Sequence, residues 1–135
     1  RKVEFGTASL EARISALNRM CDAGYKVGIL IAPVVMTDNW MELYTRLIEQ
    51  LAGEISQKTK DQLFIEIIFM TYSYVHRAIN REAFPNAVEL FDKSLMTGRG
   101  RGKYCYREDV RAMGERFLRE QLEKKLKGIP IVYVV

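Results

Sequence analysis

The sequence predicts an α/β protein, an open or partial βα barrel built on parallel strands. Three observations carry this expectation. Short, nearly continuous apolar runs recur at 26–33, 62–70 and 129–135, as in strands covered on both faces. Segments of helical period lie between them. The resulting order, β-α-β-α-β-insert-α-β, implies right-handed crossovers and a parallel sheet. Four strands, counting "KVEF" at 2–5, are too few to close a barrel alone.

Each element has its own local justification. After "KVEF" and Gly6, Leu10, Ile14, Leu17 and Cys21 recur on one helical face. Thr7 or Ser9 can cap its start and Gly24 can close its end. "KVGILIAP" is a buried parallel strand that Pro33 stops. Asp38 can cap a long helix whose stripe is Trp40, Leu43, Tyr44, Leu47, Ile48 and Leu51. "QLFIEIIFM" is the third strand. The stretch "HRAINREAFPNAVELFD" reads as broken, short helices with Pro85 near a helix start. A helix over "REDVRAMGERFLREQLEKKLKG" presents Val110, Met113, Phe117 and Leu122, with acids first, lysines last and Gly128 beyond. "IPIVYVV" is the final strand.

Length and composition narrow the class. The 135 residues make one domain or a piece of one, and the chain is long enough for a core. With 48% hydrophobic and 28% charged residues it reads as globular rather than disordered. A net charge of +4 permits a polyanionic partner without requiring one. The longest apolar run, 27–36, is too short to span a bilayer, so no membrane partner is expected. Cys21 and Cys105 form no CxxC pair and no metal-ligand spacing, which makes reduced thiols the expectation. The chain starts at Arg1 and enters a strand at once, so a natural N-terminal portion is expected to be missing.

Four features bear on chemistry. Glu66 shares a strand face with Phe64, Ile68 and Met70, where a carboxylate must be paired or have its pKa raised. It reads either as a lumen residue or as half of a buried ion pair. His76, the single histidine, and Arg77 follow directly on that strand, at the end where βα folds place chemistry. With no Cys or Asp cluster beside it, His76 is equally a structural or exposed histidine. Ala32 ends the second strand and is small enough for a flat ring to approach, or simply to pack. The most specific feature is "MTGRGRGKYCY" at 96–106. If extended, it aims Arg99, Arg101 and Lys103 to one side and Tyr104 and Tyr106, with the glycines, to the other. Cations meet phosphates and tyrosines stack on bases, the two components of nucleic-acid binding. The glycines suit a tight hairpin. A mobile surface loop with accidental charge is the plain alternative.

Taken in order, "RKVEFGTASLEARISALNRMCDAGYKVGILIAPVV", "EIIFMTYSYVHRAINREAFP" and "GRGKYCY" resemble the later part of the spore photoproduct lyase family, radical S-adenosylmethionine enzymes. "GKYCY" followed by a helix and a strand is the most distinctive part, and "IAPVV" supports it. The resemblance implies a radical-SAM partial (βα) barrel, of which residues 1–135 would be the C-terminal half with a hairpin insertion. It implies repair of a thymine–thymine crosslink in UV-damaged DNA. S-adenosylmethionine and a 4Fe-4S cluster would start that radical chemistry in the complete enzyme. Ala32 would contact the adenosyl group, and the strip would wedge into damaged DNA beside a flipped-out lesion. The partners implied are damaged DNA and the missing N-terminal half of the barrel, and the location is the bacterial cytoplasm or spore interior. The family's CxxxCxxC is absent, so this portion has no metal site or catalytic residue of its own and should be inactive alone. Two other readings stay open: a nucleic-acid-binding α/β domain without cofactor, and an α/β scaffold. An upstream CxxxCxxC would separate them.

Overall fold

The structure is a computed structural model that describes residues 6–135. The strand expected at 2–5 lies outside the described residues. The elements are α1 (Leu10–Asp22), β1 (Gly28–Val34), α2 (Trp40–Glu54), α3 (Gln57–Lys60), β2 (Phe64–Phe69) and β3 (Thr71–Ser73). They continue with α4 (Tyr74–Ala83), β4 (Met96–Gly100), β5 (Lys103–Tyr106), α5 (Glu108–Lys125) and β6 (Ile131–Val134).

Two three-stranded sheets result. β1, β2 and β6 are parallel neighbours in that order, as the apolar runs require. β3, β5 and β4 form a second, antiparallel sheet in which β5 is central. The register sorts the parallel sheet into rows. Ile31, Ile67 and Val134 form one row, facing the helices; Ile31 is 5% exposed and Ile67 fully buried. The adjacent row, Leu30, Glu66 and Tyr133, faces away, with Leu30 55% and Tyr133 50% exposed. One face is therefore covered and the other open. On the covered face, Ile14, Ile48, Leu51, Leu118 and Leu122 of α1, α2 and α5 complete the core. Trp40 meets Phe117 edge to face at 4.9 Å, joining α2 to α5.

Local signals account for most of the helix ends. Ser9 caps α1, its Oγ accepting the Ala12 N–H at 3.2 Å, and Gly24 (φ 90°) follows the C-cap. Asp38 is not the cap of α2. Asn39 holds that position without a side-chain bond, and the Trp40 N–H closes a preceding turn on the Thr37 carbonyl. α3 was not anticipated; Ser56 caps it by accepting from Thr59 N–H. The segment after His76 also differs from expectation. It is one helix, α4, that starts earlier and ends before Pro85, followed by irregular chain to β4. Proline disfavours helical backbone in the residue before it, so Pro85 stops a helix here rather than starting one.

Candidate functional site

The strip at 96–106 is a β-hairpin. Gly98 pairs with Tyr104 and Gly100 with Lys103, leaving Arg101 and Gly102 at the tip. Gly100 (φ 83°), Arg101 (φ 52°) and Gly102 (φ 69°) are all left-handed, which only glycine adopts at no steric cost. Simple alternation therefore breaks at the turn. Arg99 and Lys103 share a face with Thr97 and Cys105, whereas Arg101 sits at the tip rather than on that face. All three cations are exposed.

The two tyrosines have different surroundings from those expected of ligand-facing rings. Tyr106 is 4% exposed, and its hydroxyl accepts the Met36 N–H at 2.8 Å. Its ring stands edge-on to Phe69 at 6.4 Å. In this arrangement it is not available to a base; it fastens the root of the hairpin to the chain leaving β1. Burial pushes its phenol up, against the opposing pull of the Met36 bond. Tyr44 does the same for the neighbouring residue, accepting the Val35 N–H at 2.9 Å. Tyr104 is half-buried in an aromatic cluster, 4.8 Å from Tyr74 and 5.3 Å from Phe91, opposite Tyr72 across the strands. A hydrogen bond with Tyr74 raises its phenol pKa.

Arg77 braces that cluster. Its guanidinium bonds Glu89 through Nε (2.9 Å) and Nη2 (2.8 Å) and lies over the Phe91 ring at 5.6 Å. Tyr72 donates its hydroxyl to the same carboxylate at 2.8 Å. Burial, then the bond to Glu89, pushes the Tyr72 phenol up to about 12. Burial also works to raise Glu89, but the Tyr72, Phe91 N–H and Arg77 bonds outweigh it and hold the carboxyl below its ordinary value. Arg77 is thus a structural brace tying the irregular 84–95 segment to α4, while Tyr72 ties the same carboxylate to the hairpin sheet.

The other sequence candidates separate in space. His76 is exposed on α4 and makes no side-chain hydrogen bond among the described residues. Glu66 is half-buried on the open face, between Leu30 and Tyr133. It is not part of a buried ion pair among the described residues, because that face has no helix over it. Met70, expected on the same face, lies beyond β2 and is 5% exposed. Ala32 is exposed at the C-terminal end of β1, in a groove of about 430 Å³ bounded by α1 and α2. Among the described residues no group of three or more His, Cys, Asp or Glu could hold a metal. Cys21 is buried, with Gln62 Nε2 donating to its Sγ at 2.7 Å, so it fits an iron–sulfur cluster no better than Cys105 does.

Arg111 was missed by the sequence reading. It rises from the first turns of α5 into a second groove, of about 420 Å³, with Arg99, Thr71, Thr97 and Cys105. Phe69, Met70 and Val135 close one end, so the groove opens beyond the C-terminal ends of β2 and β6. On the sequence, Arg111 looks like any solvated helix arginine; only the folding of the β4–β5 hairpin beside α5 brings it into one groove with Arg99.

A parallel βα layer, with an antiparallel hairpin module set at its C-terminal strand ends, defines a mixed α/β protein of βα-repeat type. Comparison with known families matches residues 1–135 to spore photoproduct lyase. The chain belongs to the spore photoproduct lyase family. It is 28% identical over 134 residues to spore photoproduct lyase of Geobacillus sp. (strain Y412MC61), covering 96% of this chain and 39% of the relative. It is 30% identical over 127 residues to that of Bacillus subtilis (strain 168), covering 91% and 36%. A spore photoproduct lyase mutant with bound AdoMet and dinucleoside spore photoproduct superimposes with a TM-score of 0.84 at 26% identity, covering 96% of this chain and 38% of that one. Another, with dinucleoside spore photoproduct, gives 0.88 at 25% identity, covering 96% and 40%. The chain thus spans about two fifths of the length of these relatives. No helix among the described residues is long and apolar enough to cross a membrane.

Proposed function

We propose that this chain is the C-terminal portion of a partial (βα) barrel in a radical S-adenosylmethionine lyase that repairs spore photoproduct in DNA. The observation that carries the reading is the family match along all 135 residues, together with a cationic hairpin at the ligand end of the strands. The described residues hold no cluster ligands, so a cysteine-bearing portion of the same barrel has to supply the 4Fe-4S site. The groove beside Ala32 suits the adenosyl end of S-adenosylmethionine: a small residue at a strand tip leaves room for a flat ring. When bound, the cofactor supplies the radical that starts lesion cleavage. The chain's own residues bind and orient DNA. Arg99, Arg101 and Lys103 neutralise phosphates, and the glycine-bearing tip enters the duplex beside the extruded lesion. Tyr104 and its cluster stiffen that wedge, and Tyr106 anchors it. Such an element offsets part of the unstacking cost of a few kcal/mol.

The test is repair. The complete protein, reduced anaerobically with S-adenosylmethionine, should convert photoproduct-bearing DNA back to thymines. A fully loaded cluster with no conversion would rule the activity out. For the hairpin, alanine at Arg99, Arg101 and Lys103 together should weaken DNA binding generally, and should flatten the salt dependence by roughly 0.9 for each duplex phosphate left without its cation. Unchanged affinity and slope would make the hairpin a surface loop.

A further inference from the structure

We propose that the groove between the hairpin sheet and the ends of β2 and β6 is a phosphodiester subsite for the lesion-bearing strand, with Arg111 as its principal ligand. The inference rests on the DNA-repair reading and deepens it.

Arg111 is half-buried, yet its guanidinium makes no hydrogen bond or ion pair among the described residues. Nearby arginines are spoken for: Arg107 bonds Asp109 and the Ser94 carbonyl, and Arg77 bonds Glu89. A guanidinium carries five donors, and leaving them without acceptors in a partly desolvated place is costly. Arg99, from β4, lines the same groove and is equally unpaired among the described residues. The hydroxyl-bearing Thr71 and Thr97 line it as well, and Glu108 is the one acid in the described lining. Among its side chains, two cations stand against one acid. Its chemistry fits an anion with two acceptor oxygens for a guanidinium's planar fork, which is what a phosphodiester offers. Its volume admits more than a bare ion, and it is continuous with the hairpin whose tip meets the strand. A dinucleoside lesion has no phosphodiester, so it leaves such a subsite unused while an oligonucleotide fills it.

The experiment uses the complete protein and two probes: the lesion as a dinucleoside, and the same lesion inside a short single-stranded oligonucleotide. Arg111→Gln should weaken the oligonucleotide roughly tenfold. It should flatten the salt dependence by about 0.7, the single-strand value for one phosphate, and leave the dinucleoside unchanged. Arg111→Lys, which keeps the charge, should restore most of the slope. Equal losses on both probes, or no loss on either, would overturn the subsite. Wild-type preference for the lesion over an undamaged dinucleoside reports on the underlying reading separately. If that preference is absent, the repair reading fails and the subsite with it. If the preference stands while Arg111→Gln leaves oligonucleotide binding intact, the subsite alone fails.

Discussion

Tyr72 sits where its proton matters. Burial and the Glu89 acceptor push its phenol up to about 12, against about 10 in an unfolded chain. Below pH 10 both states keep the proton and the contribution is whole. As pH rises from 10 toward 12 the unfolded chain releases its proton first, so this stability is progressively lost. Tyr44 and Tyr106 shift the same way, through burial. Glu89 works in the opposite sense: its contribution stands above the ordinary carboxylate range and fades as pH falls through its lowered value. Tyrosinate absorbance should therefore show a late-titrating class, from which Tyr72→Phe removes one phenol and which Glu89→Gln shifts downward. A single class near 10 would contradict this. The residue types of the site were legible in the sequence: three cations and two tyrosines on a glycine-rich strip. Their division of labour was not, because alternation assigns a side chain to a face without saying which face meets the core. Tyr106 changed roles for that reason.

Helix α5 passes so close to the end of β2 that Gly114 is the only residue type that fits there unaltered. A Cβ at this position would lie 2.7 Å from Phe69 Cε1 and 3.3 Å from Met36 Cε. Phe69 is 4% exposed and edge-on to Tyr106, so its ring has little room to yield. Gly114→Ala should gain about 1 kcal/mol of helix propensity. It should lose about 1–3 kcal/mol to overpacking, for a net loss of stability on denaturant titration. A stabilised variant would show that the ring moves freely. Elements with a strong period or a clear cap, α1 and α5 above all, were readable from sequence. α3 is four residues long and β3 three, too short for any period to register. α4 was read as broken because the segment taken as one unit, from His76 on, runs past the helix end at Ala83 into irregular chain around Pro85.

At the scale of the molecule, the open face of the parallel sheet dominates. Leu30 and Tyr133 are about half exposed there, and Val132 on the adjoining edge strand is 57% exposed. Exposed apolar surface on a sheet promotes association. On the proposed partial-barrel reading, the 135-residue chain by itself should self-associate, and should become monodisperse when the rest of the proposed barrel is supplied. Light scattering showing a stable monomer at high concentration would count against the partial-barrel reading. The parallel order was legible because buried strands are written as unbroken apolar runs. Of the second sheet, the β4–β5 hairpin was legible from its glycines, but β3 was not, since it pairs with β5 across a long irregular segment that carries no pattern.

The bond from Met36 N–H to the Tyr106 hydroxyl also sets a clock on the hairpin. Its root is fastened inside the core, while its tip is held from one side, where the Gly102 carbonyl accepts the Tyr74 N–H at 3.1 Å. Amide hydrogen exchange should then slow stepwise from Arg101 toward Tyr106, and the Met36 amide, although outside any helix or strand, should be among the slow ones. Tyr106→Phe would release that amide to exchange quickly and lower the protection of the hairpin root with it. If Met36 exchanges freely in the unaltered protein, the hairpin swings on a loose joint instead of a fixed one.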